Sequence, residues 1–178
     1  MKFSYCPDCG TKAVPRQIGD EGAVPYCESC RRPLFEMFST CVLSVVINGA
    51  GELLLIRQSY GDTARFVGVA GYMKCGETAE EAAAREIAEE TGITVRSDAM
   101  RYLFSAWHEA KGQLMLCFCA ETAQTEFRLS DEVAAAQWFT PEDAAAAVRK
   151  GSIIERVVKR SIALYGGSAG THEEFLKD

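Results

Sequence analysis

The chain has 178 residues, enough for one ordinary domain with a small appendage and too few for two full-sized ones. Its composition, 48% hydrophobic and 25% charged with 15 Gly and 5 Pro, is that of a compact globular protein and excludes collagen-like, low-complexity and globally disordered classes. A formal charge of −6, from 25 acidic and 19 basic residues, argues against a general grip on nucleic acid or an anionic membrane; an anionic substrate needs a metal or a local basic pocket.

The start of the chain lacks the apolar core of a secretory signal, and no apolar run approaches the ~18 residues of a membrane span. The expected setting is the cytoplasm, with no membrane partner. Four of the eight cysteines then fall within the first 30 positions as two C-x2-C pairs, Cys6 with Cys9 and Cys27 with Cys30. The 17 residues between the pairs lie in the window that reads as structural zinc, and a reducing compartment disfavours disulfides. A segment this short and this poor in large apolar side chains cannot hold itself together by burial, and bound Zn²⁺ supplies the missing folding free energy. The predicted ribbon covers 1–36. Its five basic and five acidic residues balance, so a scaffold or docking role is expected rather than nucleic-acid binding.

From Thr40 the pattern is strand-like: residues 41–47, a turn at 48–51 and residues 52–57 read as a β-hairpin. Residues 66–72 read as another strand. A helix is predicted over 78–91, with Thr78 and Glu81 as a capping box and Gly92 as the stop. Strands are expected near 100–107, 113–120 and 136–139, a helix behind Pro141, a last helix near 152–165, and a linker-like tail over 166–178. Cys41, Cys117 and Cys119 read as small buried hydrophobes; Cys75 lies in a glycine-flanked loop.

On the predicted helix, Glu86, Glu89 and Glu90 stand at i, i+3 and i+4, so the three carboxylates share one face. Like charges at that spacing repel, with no Lys or Arg between them, and a divalent cation relieves the repulsion. Oxygen ligands suit Mg²⁺ or Mn²⁺. A solvated acidic face is the alternative for three glutamates alone. The wider pattern is Gly71, five residues, Glu77, seven residues, Arg85-Glu86-Ile87, one residue, Glu89-Glu90, one residue, Gly92-Ile93. Gly71 and Gly76 allow close approach to phosphate, while Ala84, Ile87 and Ala88 are expected to pack inward.

This pattern resembles the Nudix box, with every fixed position filled. The resemblance implies an α+β Nudix fold, a mixed sheet sandwiched between helices over 37–165, and hydrolysis of a nucleoside diphosphate linked to another group. It makes Glu86, Glu89 and Glu90 the ligands of the catalytic metal, with Glu89 the candidate base, and gives Glu77 and Arg85 a supporting salt bridge beside Gly71 and Gly92. A zinc ribbon followed by a Nudix domain is similar to the NADH pyrophosphatase branch. In that branch a glutamate precedes a tryptophan by six residues as Glu132 precedes Trp138, which adds Glu132 as a fourth candidate ligand; a solvated glutamate at a helix start is the other reading.

Residues 105–113 align by length with the branch's specificity loop but retain only its first serine in register, with the prolines gone. The implied consequence is weak discrimination between NADH and ADP-ribose. Tyr72, Trp107 and Lys111 are the candidate substrate contacts: Trp107 for stacking on a base, Lys111 for a phosphate. Packing of Trp107 on the core beside solvated polar groups is equally compatible with the sequence. For Arg57 and Arg65 a solvated surface role is favoured over phosphate neutralisation. The expected partner is a small-molecule nucleotide diphosphate, a dinucleotide such as NAD(H) or alternatively ADP-ribose or a nucleotide sugar. A nucleotide-sensing or RNA-associated binding module is the reading from another class, and a homodimer is left open.

Overall fold

The computed structural model describes residues 3–61 and 63–165; the predicted tail at 166–178 lies outside them. They form two compact units, the first ending at Ser39 and the second beginning at Thr40. The break between them falls where a long strand begins.

The first unit is a three-stranded antiparallel sheet in the order β1 (Val14–Gln17), β2 (Ala23–Cys27), β3 (Arg32–Pro33). Its buried cluster is Cys6, Cys27 and Leu34, with Phe3 and Ala13 packed beside them, and Val24 and Tyr26 on β2 are the other buried apolar side chains among the described residues of this unit. On its surface the Arg16 guanidinium covers the Tyr26 ring at 3.8 Å and bonds Glu28 at 2.8 Å. So small an apolar centre cannot outweigh the chain entropy of some 30 residues, which makes the cysteine cluster decisive for this unit.

The second unit is built on a mixed six-stranded sheet. Along its main path the order is β7 (Arg101–His108), β8 (Gln113–Thr122), β4 (Ser39–Asn48), β5 (Leu53–Gln58), β9 (Val133–Phe139), and β6 (Val69–Tyr72) pairs with β4 off that path. Side-chain alternation sorts the core into two layers. Cys41, Leu43, Val45, Ile47, Leu53, Leu55, Met115, Cys117 and Cys119 face α2 (Pro141–Ala147) and α3 (Ile153–Tyr165). Val42, Val46, Leu54, Ile56, Phe118 and Ala120 face α1 (Ala79–Thr91). Burial on both sides explains why β4 and β8 read as continuous apolar runs, and it pushes the Cys117 and Cys119 thiols up to about 12 and about 11.

Several local expectations need correction. The β4–β5 hairpin is joined by only two residue pairs, Val46 with Leu54 and Ile47 with Leu53; beyond them β5 pairs with β9, and β6 takes the Cys41–Ser44 half of β4. The strand foreseen at 66–72 starts at Val69, after an isolated bridge from Val67 to Ile56. Gly68 precedes it because a Cβ there would meet the Ser44 carbonyl oxygen at 2.7 Å. β9 begins at Val133, so Glu132 precedes a strand and not a helix.

Helix α1 is fixed at both ends. Thr78 Oγ1 accepts from the Glu81 amide at 3.2 Å and the Glu81 carboxylate accepts from the Thr78 amide at 2.8 Å, the reciprocal capping box; Gly92 closes the helix at φ 73°. Its inward face is Ala82, Ala83, Ile87, Glu90 and Thr91; Ala84 is half-buried and Ala88 exposed, a rotation from the expected inner face. Burial of Ile87 contributes roughly 1.5–3 kcal/mol to holding α1 on the sheet, and the same rotation carries one carboxylate, Glu90, inward.

Candidate functional site

Arg85 organises the acidic end of α1. Its guanidinium bonds the Glu77 carboxylate through Nε and through Nη2 at 2.9 Å, and the Tyr72 carbonyl through Nη2 at 3.1 Å. Nη1 bonds Glu86 at 2.6 Å and Glu89 at 3.0 Å. The expectation that no cation relieves the glutamates is therefore corrected: Arg85 precedes Glu86 and reaches Glu89 four residues on, and Lys74 Nζ adds a contact to Glu89 at 3.4 Å. These contacts raise the guanidinium pKa further, the Glu77 hydrogen bond contributing most. They hold the Glu77 carboxyl at about 2, through the Arg85 hydrogen bond first and the Lys74 amide second.

Gly71 lies across from this helix on β6, and its lack of a side chain makes room for Glu86: a Cβ at Gly71 would coincide with the Glu86 carboxylate. Gly92 serves differently, since its left-handed backbone brings Arg128 close enough that a Cβ would lie 2.9 Å from the Arg128 Cβ. The Arg128 amide then bonds the Thr91 carbonyl at 2.8 Å and the Ser130 amide the Glu90 carbonyl at 3.2 Å. The segment leading to Glu132 is thus sewn to the end of α1.

Glu90 is 5% exposed, and its Oε2 has no hydrogen-bond partner. Burial foremost, then Glu86, Glu132 and Glu89, push its carboxyl up to about 8. An orphaned carboxylate oxygen facing three further carboxylates is what a hard divalent cation would satisfy, and Glu86, Glu89, Glu90 and Glu132 fit such an ion by chemistry. Among the described residues only the four cysteines bring ligand atoms within 4.8 Å of one another, so the carboxylates surround the site without converging on one point.

Tyr60 escaped the sequence reading. It sits on the loop after β5, and burial first, then the nearby carboxylates of Glu132, Glu90 and Glu86, raise its phenol pKa. No local pattern marks it, because it reaches the site through the pairing of β5 with β9, a contact between distant parts of the chain.

Residues 105–108 belong to β7 and Gln113 opens β8, so the supposed nine-residue loop is a hairpin turn at 109–112. Trp107 is 44% exposed and Lys111 is exposed on that turn. Tyr72 is 60% exposed, and its hydroxyl accepts from Nε2 of the buried Gln113 at 2.5 Å. Burial raises the Cys41 thiol pKa, and Lys111 is near enough for its charge to oppose part of that rise. The Arg57 guanidinium lies 5.9 Å from the centre of the Phe66 ring.

In the first unit, Cys6 and Cys30 sulfurs stand 3.9 Å apart and those of Cys9 and Cys27 3.5 Å. A ZnS₄ tetrahedron with ~2.3 Å bonds has edges of about 3.8 Å. All four are free thiols. Cys9 is lowered to about 6 by the Thr11 side chain and backbone before the other sulfurs, whereas Cys30 is pushed up to about 12 by Cys9 and Cys27. Four neighbouring sulfurs cannot all ionise unaided; a soft cation would let them.

The NUDIX domain model matches residues 37–159. The NAD-capped RNA hydrolase NudC of Photobacterium profundum is 28% identical over 162 residues, covering 90% of this chain and 59% of that protein. The enzyme of the same name from Escherichia coli O1:K1 / APEC is 29% identical over 161 residues, 90% of this chain and 60% of its own length. The chain thus spans about three-fifths of the curated relatives it matches. Among solved structures, a NUDIX hydrolase from Nitrosomonas europaea superposes with a TM-score of 0.68 at 18% identity, covering 90% of this chain and 91% of that one. The NUDIX domain of Shewanella oneidensis NrtR, complexed with ADP ribose, gives 0.62 at 15% identity over 78% of this chain and 94% of that one. At such identities these structures speak for the fold.

Proposed function

The chain belongs to the NUDIX domain family, and from that premise we propose that it is a divalent-metal-dependent hydrolase of the pyrophosphate bond in a nucleoside diphosphate linked to another moiety, a dinucleotide such as NAD(H) first. One observation carries the reading: the complete box from Gly71 to Ile93 folds so that Gly71 clears space for Glu86 while the Glu90 oxygen is buried and unpartnered.

Glu86, Glu89, Glu90 and Glu132 would hold Mg²⁺ or Mn²⁺. When bound, the ion supplies charge stabilisation on the phosphoryl oxygens and lowers the pKa of its water. The protein's own groups do the rest. Arg85, anchored by Glu77 and the Tyr72 carbonyl, orients the Glu86 and Glu89 carboxylates. Glu89, the exposed member with its side chain 52% accessible, takes the proton from the attacking water. Tyr72 and Trp107 offer ring faces to a base or nicotinamide, and Lys111 a cation to phosphate. Cys6, Cys9, Cys27 and Cys30 would hold a structural Zn²⁺ in the first unit.

Phosphate release in Mg²⁺, with added phosphatase, from NADH, NAD⁺, ADP-ribose, nucleotide sugars, diadenosine polyphosphates and nucleoside triphosphates tests the reading. Metal-dependent turnover of NADH is expected, with little discrimination against ADP-ribose, because the turn at 109–112 lacks the prolines that would fix one dinucleotide. Turnover of triphosphates alone, or none in Mg²⁺ and Mn²⁺, refutes it. A second reading comes from the relatives' name: NAD at the 5′ end of an RNA carries the same pyrophosphate, so capped RNA joins the panel although the net charge of −6 offers no general grip on its body. A cytoplasmic setting remains part of the proposal; no helix among the described residues is long and apolar enough to cross a membrane.

A further inference from the structure

Tyr72 ends β6 directly after Gly71, the glycine that leaves room for Glu86, so its ring stands beside the acidic face of α1. Its main chain is held twice, by pairing with Cys41 on β4 and by Arg85 Nη2, which donates to the Tyr72 carbonyl at 3.1 Å. The side chain is a different matter. Tyr72 is 60% exposed, and an exposed side chain ordinarily changes rotamer freely. Here the phenol oxygen accepts from Gln113 Nε2 at 2.5 Å. That contact joins β6 to β8, two strands that each neighbour β4, and so spans the strand between them.

Strand alternation brings the two side chains to one face. Tyr72 lies opposite Cys41 in the β4–β6 register, and Gln113 stands two residues before Met115; Cys41 and Met115 both belong to the core layer away from α1. Gln113 is the fixed member of the pair. It is 5% exposed, follows Gly112 at φ 60° and pairs with His108 where the β7–β8 hairpin closes. Stability alone would be served as well by an apolar residue at 113, which needs no partner when buried. A buried amide that pins an exposed ring instead sets the plane of that ring for a ligand. We infer that Gln113 is a specificity-determining positioning residue: its amide fixes the Tyr72 ring as the surface on which a heteroaromatic ring of the substrate, a nucleobase or nicotinamide, stacks. The inference rests on the reading of this chain as a hydrolase of nucleoside diphosphates and adds to it a residue outside the box and outside α1.

A ring that must be ordered at the moment of binding costs affinity, and a ring already pinned does not. The test compares the parent, Gln113→Leu, Tyr72→Ala and the double variant in hydrolysis of NADH at saturating Mg²⁺ and in calorimetric titration with NADH without added divalent metal, with melting temperatures alongside. Gln113→Leu keeps the volume and removes the donor. Expected are a KM and a Kd each raised about two- to tenfold with kcat near the parent's. The melting temperature should be equal or higher, because an apolar group replaces a buried amide. In the Tyr72→Ala background the same change should move neither KM nor Kd further. Parent-like KM and Kd in Gln113→Leu, a fall confined to kcat, an equal rise in the Tyr72→Ala background, or a lowered melting temperature with unchanged binding each overturns the inference. If the parent hydrolyses NADH and Gln113→Leu matches it in KM and Kd, the hydrolase reading stands and only the role of Gln113 falls. If the parent binds NADH, Gln113→Leu weakens that binding and no diphosphate is hydrolysed, the hydrolase reading falls and Gln113 keeps its positioning role. A parent that binds no NADH in the titration overturns the inference.

Discussion

Gly71→Ala is the sharpest probe of how the sheet and α1 share space. The new methyl would coincide with the Glu86 carboxylate, the far end of a flexible side chain, so Glu86 must swing away while the strand stays paired with β4. The swing removes the 2.6 Å hydrogen bond from Arg85. A hydrogen bond to a charged group is worth about 1.5–3 kcal/mol, and the loss is offset by roughly 0.4–1 kcal/mol from a less flexible unfolded chain. The net cost is about 1–2 kcal/mol, a fall in melting temperature of about 2–8 °C for a unit of this size. Metal-dependent hydrolysis should drop far more, by tenfold or greater, because the carboxylate leaves the site. Melting followed by circular dichroism and hydrolysis in Mg²⁺, on one preparation, measure both. The decisive control is the same change in a Glu86→Ala background, where no clash exists: hydrolysis should not fall further, and stability should change only by the small gain of roughly 0.4–1 kcal/mol from the less flexible unfolded chain. Parent-like turnover with a large loss of stability, or an equal effect in that background, would show that Gly71 is needed for packing and not for the room it leaves Glu86.

Glu90→Gln should abolish most metal-dependent turnover while leaving the metal-free melting temperature equal or higher, because it neutralises a buried, unpartnered carboxylate at no cost in helix propensity; retained turnover with a lower melting temperature would contradict this. Glu77 has a folded pKa of about 2, below its unfolded value near 4.5, so its contribution to stability is complete above that unfolded value and is lost as pH falls toward 2. Glu77→Gln should therefore flatten the acid limb of the stability profile between about pH 4.5 and 2, and an unchanged limb would speak against the Arg85 pairing. Cys27→Ser should release zinc and unfold the first unit while α1 keeps its helical signal, since all four sulfurs lie within residues 6–30; zinc analysis, circular dichroism and loss of hydrolysis together would distinguish this from collapse of both units.

How much was legible in the sequence depended on how local the cause was. The capping box, the Gly92 stop and the box spacing are contacts within a few residues, and α1 could be drawn from them almost to the residue. The apolar runs of β4 and β8 announced strands buried on both faces, but a run of Val, Leu and Ile does not name its neighbours, and β6 taking half of β4 was beyond local reading. The inward face of α1 was misplaced because hydrophobicity alone selects Ala88 over Glu90, whereas the fold buries the glutamate. Arg85 was overlooked as relief for the glutamates because it lies outside the span they enclose, though the helix brings it beside two of them. Tyr60 and the Gln113–Tyr72 hydrogen bond arise from tertiary pairing and leave no trace in spacing.

The cysteines on β8 give the second unit a built-in clock. Cys117 and Cys119 are wholly enclosed between the sheet and α3, and burial keeps both as neutral thiols far above physiological pH. Thiolates, not thiols, attack alkylating reagents. At neutral pH an alkylating agent therefore meets Cys75, exposed on its loop, from the first instant, but reaches the β8 pair only in the moments when α3 lifts away. The modification rate at those two positions, read by mass spectrometry peptide by peptide, counts openings of the hydrolase fold separately from any event in the cysteine-rich unit ahead of it. A chain with two units and thiols in both can thus report, with one reagent and no added label, which unit gives way first.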